Sequence, residues 1–184
     1  MKMNFIKISW EKYERDTFAL TKKITGSKIK FDRMVIISRG GLVVGRIVSD
    51  LLNLPISHIL ISSYTDLQQQ KDIRITEVPQ KTFNNETLLL IDEISDSGRT
   101  FERAHSYFMK FNNCKTFTAC LYIKPITKPL PRLWQEKFDG WVIFPYEVKE
   151  TYDAFVKLFK SSEKARKKMI EVGFEEWEIN QVKS

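Results

Sequence analysis

Two adjacent acidic residues, Asp92 and Glu93, follow a run of four apolar residues at positions 88–91. The run has no polar alternation, which is typical of a strand buried on both faces in a parallel sheet. Two carboxylates at the end of such a strand can bind the hydroxyl pair of a ribose. Because adjacent acids repel each other, we interpret the pair as functional rather than as an exposed strand end.

A short polar segment, residues 96–100, follows these acids and precedes a stretch rich in helix-forming residues. The turn from strand to helix therefore falls on residues 97–100. Free backbone N–H groups and the positive end of the helix dipole meet at such a helix start, which makes it a site for phosphate. With the acids upstream, the segment predicts a site for the ribose and the phosphate of one sugar.

A second turn of this kind joins a predicted strand, residues 34–37, to a predicted helix, residues 42–52. Its sequence is Ser-Arg-Gly-Gly, in which Gly40 and its neighbour let the backbone approach a ligand closely. Arg39 adds a fixed cation that suits phosphate. An ordinary tight turn is the alternative interpretation.

A polar segment without apolar periodicity, residues 63–71, lies between predicted strands at 56–62 and 73–78. A flexible loop is the simplest interpretation. The alternative is a lid that closes over a substrate, because lids come from weakly packed segments.

Strands and helices alternate along the chain, which predicts an α/β domain with a mostly parallel sheet flanked by helices. The remaining predicted elements are helices at 9–24 and 101–111, strands at 88–91, 117–123 and 140–145, and a helical tail at 146–184 with a break near Gly173. Ligands bind at the carboxyl ends of the strands in such sheets. Arg39, the loop from Ser63, Asp92, Lys124 and Trp141 all lie at or beside predicted strand ends.

The bulk composition fits one globular domain of 184 residues, with 42% hydrophobic and 29% charged residues. We expect a cytoplasmic protein without a membrane segment, since no apolar run reaches spanning length and the first residues lack a signal-peptide core. Cys114 and Cys120 lack zinc or redox spacing and are expected to be small core residues. The net charge of +7 suits nucleic acid or small polyanions, but no nucleic-acid motif is present.

Residues 88–100 resemble the ribosyl-phosphate-binding signature of the type I phosphoribosyltransferases. That signature is an apolar strand, two acidic residues, two further residues, and then Asp, Ser or Thr, Gly and a Thr. Residues 38–52 resemble the pyrophosphate loop and helix of this family. Ser63 and Tyr64 resemble the flexible loop of its purine members. Residues 122–125 resemble the segment with the purine-contacting lysine, and residues 140–147 resemble the base hood, of xanthine-guanine and hypoxanthine-guanine phosphoribosyltransferases.

The resemblance implies how 5-phosphoribosyl 1-diphosphate (PRPP) would bind. Asp92 and Glu93 would hold the ribose hydroxyls and serve as metal ligands for Mg²⁺, although the family usually has Asp at the second position. Arg39 and Gly40 would contact pyrophosphate, through a peptide that is often cis in relatives. The 5-phosphate would be bound by Asp96, Ser97, Gly98, Arg99 and Thr100.

The resemblance also implies a purine site. Lys124 would contact the exocyclic oxygen of a 6-oxopurine, Trp141 would stack on its ring, and Val142 and Ile143 would lie near C2. Asp96 would act as general acid/base at N7. The alternatives are a helix N-cap for Asp96, a solvated loop cation for Lys124 and a core aromatic for Trp141.

The sequence therefore predicts a purine phosphoribosyltransferase that uses PRPP and Mg²⁺, in a homodimer or homotetramer. Its single domain, residues 1–184, would have a core at about 30–125, a base hood at 126–150 and a helical tail at 151–184. One alternative is a regulator of the same fold that senses PRPP or a nucleotide and acts on RNA or DNA. Another is a phosphoribosyltransferase for adenine, a pyrimidine or a modified purine, against which Lys124 argues because an ammonium only donates hydrogen bonds.

Overall fold

A computed structural model describes residues 4–65 and 71–182 of the chain. The chain divides into two compact units, a central unit of residues Arg15–Phe138 and a terminal unit of residues 4–14 with 139–182. The elements are β1 (Phe5–Lys7), α1 (Trp10–Gly26), β2 (Arg33–Ser38), α2 (Gly41–Leu52), β3 (Ile56–Thr65), β4 (Lys71–Glu77), β5 (Thr87–Ser95), α3 (Arg99–Phe108), β6 (Lys115–Ile123), β7 (Leu133–Lys137), β8 (Trp141–Ile143), α4 (Val148–Phe159), α5 (Ser162–Glu171) and α6 (Glu176–Asn180).

The central unit is built on a six-stranded sheet with the strand order β4-β3-β2-β5-β6-β7. All neighbouring strands are parallel except β3 and β4, which form an antiparallel pair. The predicted α/β fold with a mostly parallel sheet is therefore confirmed. Strand β5 lies between β2 and β6, and its apolar run at residues 88–91 is fully buried, as its unbroken hydrophobicity predicts.

Helices cover both faces of this sheet. On one face, Phe101 and Phe108 of α3 join a core with Leu88 and Leu90, and the two cysteines belong to the same core as free thiols. Helix α2 packs on β2 and β5. It approaches β2 closely at Gly45, where an added Cβ would overlap the side chain of Ile36.

Two element boundaries next to the predicted site differ from the sequence prediction. Strand β5 continues to Ser95, so that Asp92 and Glu93 lie within its last residues rather than after it. Helix α3 begins at Arg99, two residues before its predicted start. The edge strand β7 was not predicted, because its sequence LWQEK is only partly apolar and follows two prolines.

Both ends of the predicted loop at residues 63–71 are strand in the structure, since β3 extends to Thr65 and β4 begins at Lys71. The backbones of Ser63 and Tyr64 continue β3 and pair with Ile73 and Asp72 of β4. Pairing with an antiparallel neighbour satisfies the backbone of a polar segment, which the side-chain pattern does not reveal. Residues 66–70 lie outside the described residues, and a covering role for Ser63 and Tyr64 stays a prediction.

The terminal unit pairs β1 with β8 in a parallel two-stranded sheet, so the predicted last strand does not join the larger sheet. Its core consists of Ile143, Phe155, Ala165, Met169, Phe174 and Ile179. The helical tail breaks near Gly173, as predicted. It breaks again at Lys160, where the backbone is left-handed and Ser161 caps α5 through Lys164 N–H at 3.2 Å. Among the described residues, no helix is both long and apolar enough to cross a bilayer.

Candidate active site at the strand ends

The carboxyl end of β5 carries Asp92, whose side chain is 8% exposed. Its carboxylate accepts a hydrogen bond from the backbone N–H of Glu93 at 3.0 Å and another from the backbone N–H of Gly41. Burial nevertheless raises the pKa of Asp92 to about 6, because removal from water disfavours the charged form more than these donors favour it. A cation or a hydrogen-bond donor next to Asp92 would therefore stabilise the charged form of its carboxylate.

Glu93 extends towards the loop between β2 and α2. Its carboxylate lies over Gly40, in the space that a side chain there would fill. Within the described residues, Glu93 Oε2 is buried without a hydrogen-bond donor. Burial, followed by the negative charge of Asp92, raises the pKa of Glu93 well above its usual range. The two acids therefore form one strongly interacting pair.

The loop that receives this pair begins with a cis peptide between Ser38 and Arg39. The cis bond is thus one residue earlier than the Arg39–Gly40 peptide considered from the sequence. At Gly41 a Cβ would lie 2.8 Å from the carbonyl oxygen of Ile91, so the loop approaches β5 as closely as backbones allow. The Arg39 side chain in this loop is exposed.

The predicted phosphate segment turns sharply at Gly98, which has φ +88° and starts α3. A Cβ there would lie 2.5 Å from the carbonyl oxygen of Lys128, so glycine is required by both conformation and space. The first N–H groups of a helix have no acceptor within it. Because Arg99 and Thr100 are the first helical residues, their backbone amides point out of the N-terminus, where an anion is favoured.

The turn that follows β6 is hydrogen-bonded to the residues between β5 and α3. Thr127 is 3% exposed, and its hydroxyl lies 2.6 Å from Ser95 O, 2.8 Å from Asp96 O and 2.9 Å from the N–H of Lys124. The backbone N–H of Lys128 donates to Ser97 O at 3.1 Å. Sequence reasoning missed Thr127, because a threonine in a loop carries no signal of its long-range partners.

Three neighbouring strands thus deliver the predicted residues to one edge of the sheet. Strand β2 brings Arg39 and Gly40, β5 brings the two acids and the segment at 96–100, and β6 brings Lys124. Comparison with known proteins identifies the family of the chain. The sequence pattern of the phosphoribosyl transferase domain matches residues 9–152.

The chain belongs to the phosphoribosyltransferase family. It is 28% identical over 153 residues to a xanthine-guanine phosphoribosyltransferase of Cereibacter sphaeroides, covering 79% of this chain and 88% of that one. A purine phosphoribosyltransferase from Pyrococcus horikoshii superposes with a TM-score of 0.70 at 26% identity, covering 78% and 94%. A xanthine-guanine-hypoxanthine phosphoribosyltransferase of Helicobacter pylori shares the fold, with a TM-score of 0.71 at 22% identity and coverages of 86% and 100%.

Membership of this family makes the chain an enzyme of the pentosyltransferase class, as the signature at residues 88–100 predicted.

The remaining predicted site residues lie in the terminal unit. Trp141 is 41% exposed and lies beside Phe5, with ring centroids 6.0 Å apart. The side chains of Val142 and Ile143 are buried, and both residues pair with β1 in the two-stranded sheet. Base binding by these three residues stays a prediction.

Proposed function

We propose that this phosphoribosyltransferase transfers the 5-phosphoribosyl group of PRPP to guanine, xanthine or hypoxanthine, giving a nucleoside monophosphate and pyrophosphate in purine salvage. The observation that carries the proposal is the acid pair near the end of β5, followed along the chain by the turn at which α3 begins. Asp92 is buried, and so is Oε2 of Glu93. The names of the relatives, which are purine enzymes, support the purine class. A cytoplasmic homodimer or homotetramer is part of the same proposal.

PRPP would lie along the strand ends. The backbone amides at the start of α3, with the hydroxyls of Ser97 and Thr100, would bind its 5-phosphate. Asp92 and Glu93 would accept hydrogen bonds from the ribose hydroxyls, and Arg39 would bind the pyrophosphate.

The acid pair also fits Mg²⁺ that arrives with the substrate. Mg²⁺ uses one or two carboxylates plus substrate oxygens, and Glu93 Oε2 is a buried oxygen without a donor among the described residues. Bound there, Mg²⁺ would neutralise charge on the leaving pyrophosphate.

The purine would bind between the phosphate segment and the turn after β6. Lys124 would donate to the oxygen at C6. The bond from the ribose C1 to pyrophosphate breaks with its electron pair on the leaving group, as a purine ring nitrogen forms the new bond. The exposed carboxylate of Asp96 would take the proton that the imidazole ring loses.

The proposal is tested by incubating the protein with Mg²⁺, PRPP and one base at a time. Hypoxanthine, guanine, xanthine, adenine and uracil are compared, and pyrophosphate release is followed. We expect release with at least one 6-oxopurine and little with adenine or uracil. Release with adenine or uracil alone would indicate another base. No release, with tight nucleotide binding, would favour the nucleotide-sensing regulator.

Lys124→Met tests the contact at C6. The variant keeps the length of the side chain but removes the ammonium donor, so we expect the KM for the 6-oxopurine to rise about 10- to 100-fold. Lys128→Met is the matched control, since Lys128 lies in the same turn and its backbone, rather than its ammonium, bonds to Ser97. An equal change in both variants would exclude a specific contact of Lys124.

A further inference from the structure

Thr127 connects two segments that belong to different strand ends. Its oxygen lies 2.8 Å from the carbonyl oxygen of Asp96 and 2.9 Å from the backbone nitrogen of Lys124. The backbone of Thr127 also closes the turn, since its N–H donates to Lys124 O at 3.1 Å. One buried side chain thus contacts the residue proposed to take the proton and the residue proposed to bind the oxygen at C6.

The hydroxyl of Thr127 both donates and accepts hydrogen bonds here. It has one proton, which the carbonyl oxygens of Ser95 and Asp96 share, and its lone pairs accept from Lys124 N–H. Thr127 and Ser95 are 3% and 4% exposed, so water does not readily replace the hydroxyl at Ser95 O, while its bonds to Asp96 O and Lys124 N–H are partly buried. Loss of the hydroxyl would remove its donation to Asp96 O and would leave the Lys124 N–H with only its longer bond to Ser95 O at 3.3 Å.

We infer that Thr127 is a positioning residue that fixes the separation of Asp96 from Lys124. The inference rests on the proposed function, because it assigns those two residues to the proton and to the C6 oxygen of one purine. A purine is rigid, so its N7 and its oxygen at C6 can be met together only if the two protein groups keep one spacing. Thr127 supplies that spacing without touching the base.

The first test measures the connection itself and needs no substrate. Backbone hydrogen exchange is followed in the full chain for wild type, Thr127→Val, Thr127→Ser and Thr118→Val. Thr118 is a control from β6, whose hydroxyl accepts from Arg132 N–H at 3.0 Å. We expect the Lys124 amide to exchange about tenfold faster in Thr127→Val, with near wild-type exchange in the other two variants.

The second test uses the reaction. We expect Thr127→Val to lower kcat about tenfold or more, while the KM for PRPP stays within about threefold and Thr127→Ser restores kcat. In the Asp96→Asn background, Thr127→Val should lower kcat by less than about threefold. The reason is that Thr127 affects kcat by positioning Asp96, which this background has already inactivated. Thr127→Ala replaces Thr127→Val in both tests if the valine variant does not fold.

Unchanged exchange at Lys124 in the hydroxyl-free variant would overturn the inference, whatever the enzyme does. So would fully additive losses of kcat in the double variant, or a failure of serine to restore kcat. If wild type releases no pyrophosphate with any base, the proposed function fails, and the exchange measurement still decides whether Thr127 connects the two segments.

Discussion

The carboxylate of Glu93 occupies the space in which a side chain at Gly40 would lie. The next residue, Gly41, is confined differently, because its Cβ would lie 2.8 Å from the backbone oxygen of Ile91. Gly40 therefore leaves space for a side chain that can move, whereas Gly41 leaves space for the backbone of a strand that cannot. The two adjacent glycines are expected to differ sharply in their tolerance of substitution.

Gly40→Ala should displace the Glu93 carboxylate at a cost in stability of about 1 kcal/mol or less, while raising the KM for PRPP at limiting Mg²⁺. Gly41→Ala should destabilise the fold by about 2 kcal/mol or more, because the loop must move away from β5. Denaturant unfolding and steady-state kinetics of both variants measure this difference. Equal destabilisation by the two substitutions would contradict the arrangement.

The buried acid pair should make stability depend on pH. The pKa of Asp92 is raised from 3.8 to about 6 in the fold, so between these values the folded chain binds more protons than the unfolded chain. The free energy of unfolding should therefore fall as pH rises from about 4 to above 6, in the absence of Mg²⁺. Urea unfolding across this range measures the slope.

Glu93→Gln should reduce that slope and raise stability at pH 7 by on the order of 1 kcal/mol or more, because it removes a buried charge beside Asp92. Asp50→Asn is the control for loss of one negative charge, since Asp50 is an exposed partner of Arg46. A slope that responds equally to both substitutions would contradict a specific role of the acid pair.

The strand ends that form the candidate site could be predicted from the sequence, because the sequence features that mark them are local. The apolar run before Asp92, the glycines at 40 and 41 and the polar turn at Gly98 each report on a nearby backbone requirement. The meeting of these segments at one edge of the sheet then follows from the fold class, since the carboxyl ends of parallel strands share one edge.

Asp96→Asn should separate chemistry from binding. The amide keeps the shape of the turn but cannot take a proton, so kcat should fall about 100-fold or more while the Kd for PRPP changes by less than about threefold. Pre-steady-state turnover and equilibrium binding of PRPP measure the two quantities. Equal losses in both would exclude Asp96 as the general base.

Trp141→Ala should weaken purine binding without affecting PRPP. Loss of a stacking ring should raise the KM for the base about tenfold. Trp177→Ala is a suitable control, because Trp177 is also an exposed tryptophan of the terminal unit, at 62% exposure. An unchanged KM for the base in Trp141→Ala would exclude stacking.

What the sequence could not reveal depends on distant partners. Thr127 gains its role from the carbonyl oxygens of Ser95 and Asp96, and the pairing of β1 with β8 joins residues from opposite ends of the sequence. The cis peptide at Ser38 likewise leaves no mark in residue type. Such features follow from tertiary contacts, whose pattern no local propensity encodes.

The strand order has a consequence for synthesis on the ribosome. Of these three segments, the loop with Arg39 after β2 leaves the ribosome first. Asp92 and Glu93 of β5 follow, and the turn after β6 comes last. Because β5 needs neighbours on both sides, a nascent chain that ends before Lys115 exposes the apolar edge of its central strand. The pairing of β6 therefore covers this edge of β5 and brings the turn with Thr127 to the end of β5 in the same step of translation.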